Sequence, residues 1–314
     1  MKLTVSSAPH ITGKDSSRSI MLDVIIAMVP ALIAATMIFG SRALILTAVT
    51  VAACVIFEAL WNKAAKKEQT IGDLSAVVTG MLLAFNMPAT MPYWMAIIGA
   101  AFAIIMVKQL FGGIGYNFVN PAITARIILA TSFAGSMTNF AFPVTTCDAL
   151  ASATPLAANA AGAFADGSYP FYEMFLGMHG GVIGEVSALA LLVGFVYLLI
   201  AKVISPVIPV TYVATVAVLA VVFGQNPLFH ILGGGLLLGA IFMATDYVTS
   251  PYTVKGKIVF GIGLGLITMI IRIFGSMTEG VSYAILLMNL FVPYINRLTR
   301  QKPLGAPKKV KEAK

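Results

Sequence analysis

The sequence predicts an all-α polytopic membrane protein with about ten transmembrane helices, arranged as an inverted repeat of five plus five. Three observations carry that class. Hydrophobic residues make up 59% of the chain and charged residues only 10%, far from the mix of soluble domains. Ten segments approach the roughly 20 mostly apolar residues that a spanning helix needs. A faint internal repeat lays Gly80-Met81-Leu82-Leu83-Ala84 on Gly235-Leu236-Leu237-Leu238-Gly239, and the same offset sets Ala89-Thr90 on Ala244-Thr245. With five spans per half the two copies cross in opposite directions, an architecture of transporters and channels. The repeat also predicts that the third and eighth spans face one another, with Gly80 opposite Gly235. Ordinary small-residue packing between helices explains the same glycines without a repeat.

Taken in order, the spans are read at 20–39, 44–61, 74–86, 93–110, 121–133, 186–201, 207–223, 228–245, 258–274 and 281–298. Residues 1–19 are polar, with neither a short apolar core nor a small-residue cleavage site, so the first apolar run is expected to be a retained span. The third and fifth spans are short and bordered by Asn86-Met87-Pro88 and Asn120-Pro121, and interrupted spans of this kind mark sites at membrane depth; tilt or bilayer thinning is the simpler explanation. The organisation is then a first membrane half over 1–135, a loop over 136–184, and a second membrane half with a basic tail over 185–314.

Orientation follows from Lys and Arg, which short cytoplasmic loops accumulate. Lys63, Lys66, Lys67, Lys108, Lys202, Lys255 and Lys257 follow even-numbered spans, as does the tail from Arg297 to Lys314; Lys2, Lys14 and Arg18 precede the first. Both termini are therefore expected in the cytoplasm and the central loop outside, with only Arg42 and Arg272 near span ends on that side. The excess of twenty Lys and Arg over twelve Asp and Glu is a topology signal, not a nucleic-acid surface, because the basic residues do not cluster with aromatics on one face. Cys54 and Cys147 lack metal-ligand or disulfide-framework spacing, and His10, His179 and His230 are too scattered for a metal site.

Chemistry is sought where polar residues interrupt apolar runs. In the long loop, Asp148-Ala149-Leu150-Ala151-Ser152-Ala153-Thr154-Pro155-Leu156 places the Ser152 and Thr154 hydroxyls ahead of a proline. Thr-Pro is also how a helix begins, with Thr at the N-cap and Pro at the first helical position. Asp23, Glu58, Arg126 and Arg272 fall within spans, where ionisable residues are costly and functional by default, but each lies near an end, where snorkelling or an interfacial water would satisfy it. Arg126, just after Asn120-Pro121, is the strongest of these, placed to meet an anion or a carboxylate. The Gly112-Gly113-Ile114-Gly115-Tyr116-Asn117 turn lacks the third glycine and the preceding strand of a dinucleotide fingerprint; its glycines allow a tight re-entry or close approach of a planar ligand. Asp246, in Met243-Ala244-Thr245-Asp246-Tyr247-Val248-Thr249-Ser250-Pro251, lines a cation or cofactor path or caps the next helix.

The 148–156 segment resembles the flavinylation motif of the D-subunit family of the Rnf electron-transport complex, itself similar to the B subunit of the sodium-translocating NADH:quinone reductase. Phe111-Gly112-Gly113-Ile114-Gly115-Tyr116-Asn117-Phe118-Val119-Asn120-Pro121-Ala122 and the 243–251 segment carry the same resemblance, which extends over nearly the whole chain. Three motifs in the right order are specific, and the length of 314 residues favours the Rnf branch. The resemblance implies that Thr154 carries FMN through a phosphoester made by a separate flavin transferase that draws on FAD. Ser152, Asn120, Arg126 and Asp246 are the accompanying cofactor-binding candidates, with no catalytic residue and no metal. A second, non-covalent flavin, riboflavin in some relatives, fits among the spans. Tyr247 stands where many members carry proline, which alters the local turn and leaves Thr154 untouched.

The expected function is thus a membrane-embedded flavin-carrying subunit of an ion-translocating ferredoxin:NAD+ oxidoreductase complex, inactive alone. It would sit in a bacterial or archaeal cytoplasmic membrane with other membrane and peripheral subunits, the flavin transferase and lipid as partners, and no nucleic acid. Sodium and protons are both open as the ion moved. A non-redox small-solute channel or secondary transporter would use the same repeat, and a purely structural scaffold for other subunits the same spans.

Overall fold

The computed structural model describes residues 16–140, 154–160, 169–275 and 279–301; Ser152, Cys147, His10 and the basic tail beyond residue 301 lie outside them. The first half runs α1 (Ser17–Phe39), α2 (Ser41–Ala64), α3 (Ser75–Phe85), α4 (Tyr93–Ala101), which widens into a π-helix over Phe102–Gln109, α5 (Pro121–Ser132) and the single turn α6 (Ala134–Met137). Two short helices follow, α7 (Pro155–Ala160) and α8 (Phe171–Leu176). The second half comprises α9 (Ala188–Ile200), α10 (Val207–Val222), α11 (Pro227–Leu232), α12 (Leu236–Leu238) continuing as a π-helix over Gly239–Met243, α13 (Val254–Phe274) and α14 (Val281–Thr299).

The sequence sets most of these boundaries through caps. Ser16 and Ser19 form a reciprocal capping box at the start of α1. Asn120-Pro121 opens α5 and Asn226-Pro227 opens α11 by the same device, the Asn side chain accepting from the second and third N–H groups. Ser187 and Thr253 cap α9 and α13. Four helices, α1, α2, α13 and α14, are long and apolar enough to cross a membrane by themselves. The others are shorter, and the predicted eighth span is broken: Gly234 has φ +68°, a left-handed conformation that suits glycine, and divides α11 from α12.

The halves reproduce each other's packing. α2 lies along α3 and α4, while α10 lies along the broken eighth segment and α13; α4 packs on α5 as α13 packs on α14. α1 packs on α9 and α5 on α14, pairing segments five apart. This is the pattern of an inverted five-plus-five repeat.

Gly80 and Gly235 do not meet. A Cβ on Gly80 would lie 2.7 Å from the Val51 backbone on α2, and one on Gly235 would lie 3.2 Å from a Glu185 carboxylate oxygen. The third and eighth segments approach instead at their ends, where Asn86 Nδ2 is 3.7 Å from Met243 Sδ.

Short helices leave a recess. α9 has 13 residues and at about 1.5 Å per residue spans roughly 20 Å, less than the hydrocarbon core of about 30 Å. α3, with 11 residues, falls further short. The chain before α9 fills the gap between them: Ile183 N–H donates to the Met87 carbonyl at 3.0 Å and Gly184 N–H to the Phe85 carbonyl at 2.9 Å, around an isolated antiparallel bridge between Pro88 and Val182. A Cβ on Gly184 would sit 2.3 Å from Phe85 Cβ, so only glycine permits this approach.

Candidate functional site

Three polar places stand out in the apolar bundle. The first is a cavity of about 120 Å³ at the end where α1, α3 and α5 begin and the fourth, sixth and eighth segments finish. A single water needs about 10–15 Å³ measured this way, so the space suits a ring system better than an ion. Its polar edge is formed by Thr79, Asn117, Asn120, Thr245 and Asp246, and its walls by apolar side chains of α1, α3 and α9 and of the second π-helix. Asn120 caps α5 with Oδ1 and donates from Nδ2 to the Met243 carbonyl at 3.4 Å. Asp246 accepts from Thr249 Oγ1 at 3.0 Å. Asn289 on α14 joins the two motifs: in the amide orientation that satisfies both sides, it accepts from Asn120 N–H at 3.1 Å and donates to the Thr249 carbonyl at 3.0 Å.

The second place is a buried ionic network beside that cavity. Lys108 Nζ donates to both Glu58 oxygens, at 3.0 and 2.8 Å, and to Ser75 Oγ at 2.6 Å. Gln109 and Thr70 also donate to Glu58, and Asn62 supports Thr70. The π-helix positions Lys108 and Gln109 side by side on this face, with Leu110 N–H bonded five residues back to the Ile105 carbonyl. Neither snorkelling nor interfacial water satisfies Glu58, contrary to the expectation from its place near a span end: its side chain is 1% exposed and it is neutralised within the protein. Lys108, read from sequence as a topology marker, is its buried counter-ion.

The third place lies towards Thr154. Thr154 is the N-cap of α7, its carbonyl accepting from Ala158 N–H at 2.9 Å and its Oγ1 from Ala157 N–H at 3.3 Å. It is buried, and among the described residues the hydroxyl donates to nothing. That suits an esterified oxygen, which has no proton to give and can still accept. Leu156 packs with Met174 and Phe229, and Tyr169 stacks near Phe229 at 4.7 Å between ring centroids. Leu156 also lies on the glycines of the α11–α12 break, where a Cβ on Gly234 would be 2.6 Å from Leu156 Cδ1.

Beneath that break Arg272 donates to the carbonyls of His230 (2.6 Å) and Gly233 (3.0 Å), groups freed when the helix stops. Arg126 pairs with Glu279 and donates to Ser282 at the start of α14. Glu185, just ahead of α9, faces Glu279 and Arg126.

The structure therefore distributes the sequence candidates over separate places. Asn120 and Asp246 share the cavity, Arg126 turns away into the cluster with Glu279, Thr154 stands beyond the α11–α12 break, and Ser152 lies outside the described residues. Glu185, Glu279, Asn289 and the Lys108–Glu58 pair were not singled out as sites by sequence. Only Glu185, in a Gly184-Glu185 step within an otherwise apolar approach to a span, carried a local signal.

The chain matches the model of the NQR2, RnfD, RnfE family over residues 4–305. The chain belongs to that family. Among its relatives, the D subunit of the Na(+)-translocating ferredoxin:NAD(+) oxidoreductase complex of Acetobacterium woodii is 51% identical, covering 100% of this chain and 99% of its own. Its counterpart in the proton-translocating ferredoxin:NAD(+) oxidoreductase complex of Clostridium ljungdahlii is 38% identical over 96% of each chain. The D subunit of the ion-translocating oxidoreductase complex of Methanosarcina acetivorans is 35% identical over 96% of this chain and 97% of its own. The match with the family thus runs nearly end to end, over a range that contains all three polar places.

Proposed function

We propose that the chain is a membrane-embedded, flavin-carrying electron-transfer subunit of an ion-translocating ferredoxin:NAD+ oxidoreductase complex, coupling electron transfer to movement of sodium or protons. The observation that carries this is the end-to-end similarity to the D subunits of such complexes. Other membrane and peripheral subunits, lipid and a maturing flavin transferase are its partners. The Lys and Arg distribution supports cytoplasmic termini, a cytoplasmic cavity and an external Thr154.

FMN held at Thr154 would supply the redox chemistry. Thr154 would hold it by a phosphoester through Oγ1, with the flavin transferase drawing the FMN from FAD and AMP leaving. Thr154 contributes position: Oγ1 is fixed at the head of α7, and Leu156 anchors that helix to the α11–α12 break. Tyr169, Phe171 and Phe229 offer an aromatic wall on the same side. A second, non-covalent flavin would be held in the cavity by Asn117, Asn120 and Asp246 on its polar side and by the apolar side chains of its walls.

The test is optical and chemical. Each variant is produced with the flavin transferase, run under denaturing conditions, and read by in-gel fluorescence beside peptide mass. Thr154→Val keeps the β-branched shape without a hydroxyl and should lose the flavin at normal membrane abundance; Thr154→Ser should retain part of it and Ser152→Ala all of it. Fluorescence persisting in Thr154→Val, or an FMN mass on another residue, overturns the assignment. A wild-type chain without flavin favours the non-redox transporter reading.

A further inference from the structure

The two buried ionic groups differ in one respect. In the Glu58–Lys108 network the charged atoms all find partners. In the cluster towards Thr154, Arg126 Nε, Arg272 Nε, Glu185 Oε2 and Glu279 Oε1 are buried and find no hydrogen-bond partner among the described residues. Glu185 is 4% exposed; its Oε1 accepts from Val182 N–H at 3.4 Å, and its Oε2 points at Gly235.

Hydrogen bonding isolates Glu185 further. Arg126 pairs with Glu279, and Arg272 is turned towards the freed carbonyls of the α11–α12 break. The two guanidinium and two carboxylate groups balance in charge, but among the described residues no guanidinium makes an ion pair with Glu185. Glu185 faces the carboxylate of Glu279, which also has an oxygen without a partner among the described residues. Two carboxylates facing each other in a buried site leave oxygen lone pairs that a proton or a metal cation between them would satisfy. The chain around them is interrupted, as it is where transporters bind ions: α3 has just ended, the chain bridges to it at Val182 and then turns over 183–185, and α11 is parted from α12. Glycines at 181 and 235 keep the space beside both Glu185 oxygens free, since a Cβ at either would come within 3.2 Å of one of them.

We propose that Glu185, with Glu279, forms a binding station for a monovalent cation, a proton or sodium, on the Thr154 side of the bundle. The assignment rests on the ion-translocating part of the proposed function and not on its flavin. Other charged groups facing the pair are Arg126 on α5 and Arg272 on α13, and Tyr283 on α14 faces Arg126.

The test uses the assembled complex and a hydrophobic carbodiimide, which adds to a protonated buried carboxyl and leaves a stable mass adduct. Wild-type protein should be labelled on the peptide containing Glu185, and Glu185→Gln should lose that adduct. If sodium is the ligand, sodium at about ten times its Kd slows labelling about ten-fold at fixed pH, as competition requires. If the proton alone binds, raising the pH slows labelling and sodium does not. In vesicles, Glu185→Gln should lower ion uptake per electron transferred about ten-fold, the effect of a roughly hundred-fold weaker Kd at an ion concentration about ten times the wild-type Kd. The exposed Glu173→Gln on α8 serves as the control and should change neither readout. Absence of an adduct on both Glu185 and Glu279, labelling indifferent to sodium and pH, or an unchanged ion-to-electron ratio in Glu185→Gln overturns the station. If Glu185→Gln does not assemble, wild-type labelling alone decides. Flavin fluorescence of the same samples separates the two readings: protected labelling without flavin sinks the flavin and leaves the station, and the reverse sinks the station alone.

Discussion

Lys108 and Glu58 lie 50 residues apart in sequence and 2.8 Å apart in space. A charge next to a span end is cheap if it reaches water, which is the reading sequence position encourages. Burial changes the balance, because a lone charge left inside is costly once its counter-ion is removed, by about 3–5 kcal/mol, whereas replacing both partners by apolar groups is often near neutral. Glu58→Gln and Lys108→Met should therefore each cut membrane abundance and thermal stability in detergent, while the double variant Glu58→Leu/Lys108→Met should recover most of the loss. Additive losses in the double variant would show that the two side chains act separately. Thr154 presents the opposite case. Its cap contributes only about 1 kcal/mol, so Thr154→Val should remain folded and report chemistry, not stability.

Among the helices, glycines decide who lies next to whom. Gly261 and Gly265, one turn apart on α13, rest against Thr211 and Thr215 of α10; a Cβ at 261 would come 2.0 Å from Thr211 Oγ1 and one at 265 would come 2.6 Å from Thr215 Cβ. This is the small-residue seam by which helices approach in a membrane, where close packing replaces hydrophobic driving force. Gly80 serves the same purpose between α3 and α2. Gly80→Leu and Gly265→Leu should each reduce assembly of the complex, judged by co-purification of the other subunits, while Gly72→Leu, in open space on a turn, should not. Equal yields from all three would remove the close-packing explanation. The π-helices also act at this scale. Each widens the end of a span, one presenting Lys108 and Gln109 to Glu58 and the other lining the cavity with Ile241 and Phe242, and such turns are frequent at functional sites.

At the scale of the molecule, the inverted repeat sets polar places on opposite sides: the cavity with Asn120 and Asp246 at one end, the Glu185 cluster and Thr154 towards the other. A bundle whose two halves pack alike but point oppositely can alternate between two arrangements, and a cation or electron biases them only through unequal affinity for the two. The orientation implied by the Lys and Arg pattern is tested with single cysteines at Ser168 and Ala306 in a background lacking Cys54 and Cys147. An impermeant thiol reagent should label position 168 in intact cells and position 306 only after lysis. The reverse pattern would invert the molecule.

Hydropathy, caps and breakers act over one or two turns, so the all-α class, the segments and most of their starts are legible in the chain alone: Ser16, Asn120-Pro121, Ser187 and Thr253 cap where local chemistry says they should. The motifs likewise point to the family, because three of them occur in order. The partners of buried charges are a different matter. Whether Arg126 meets an anionic ligand or Glu279, whether Glu58 reaches water or Lys108, and which carboxylate is left without an ion pair depend on contacts between residues tens to more than 150 positions apart. The broken eighth span shows the same limit. The sequence predicts one span over 228–245, but the positive φ at Gly234 and the reach of Arg272 to the freed carbonyls set where it parts. A side chain's cost in a membrane is set by what surrounds it in three dimensions, and only the packed bundle fixes that.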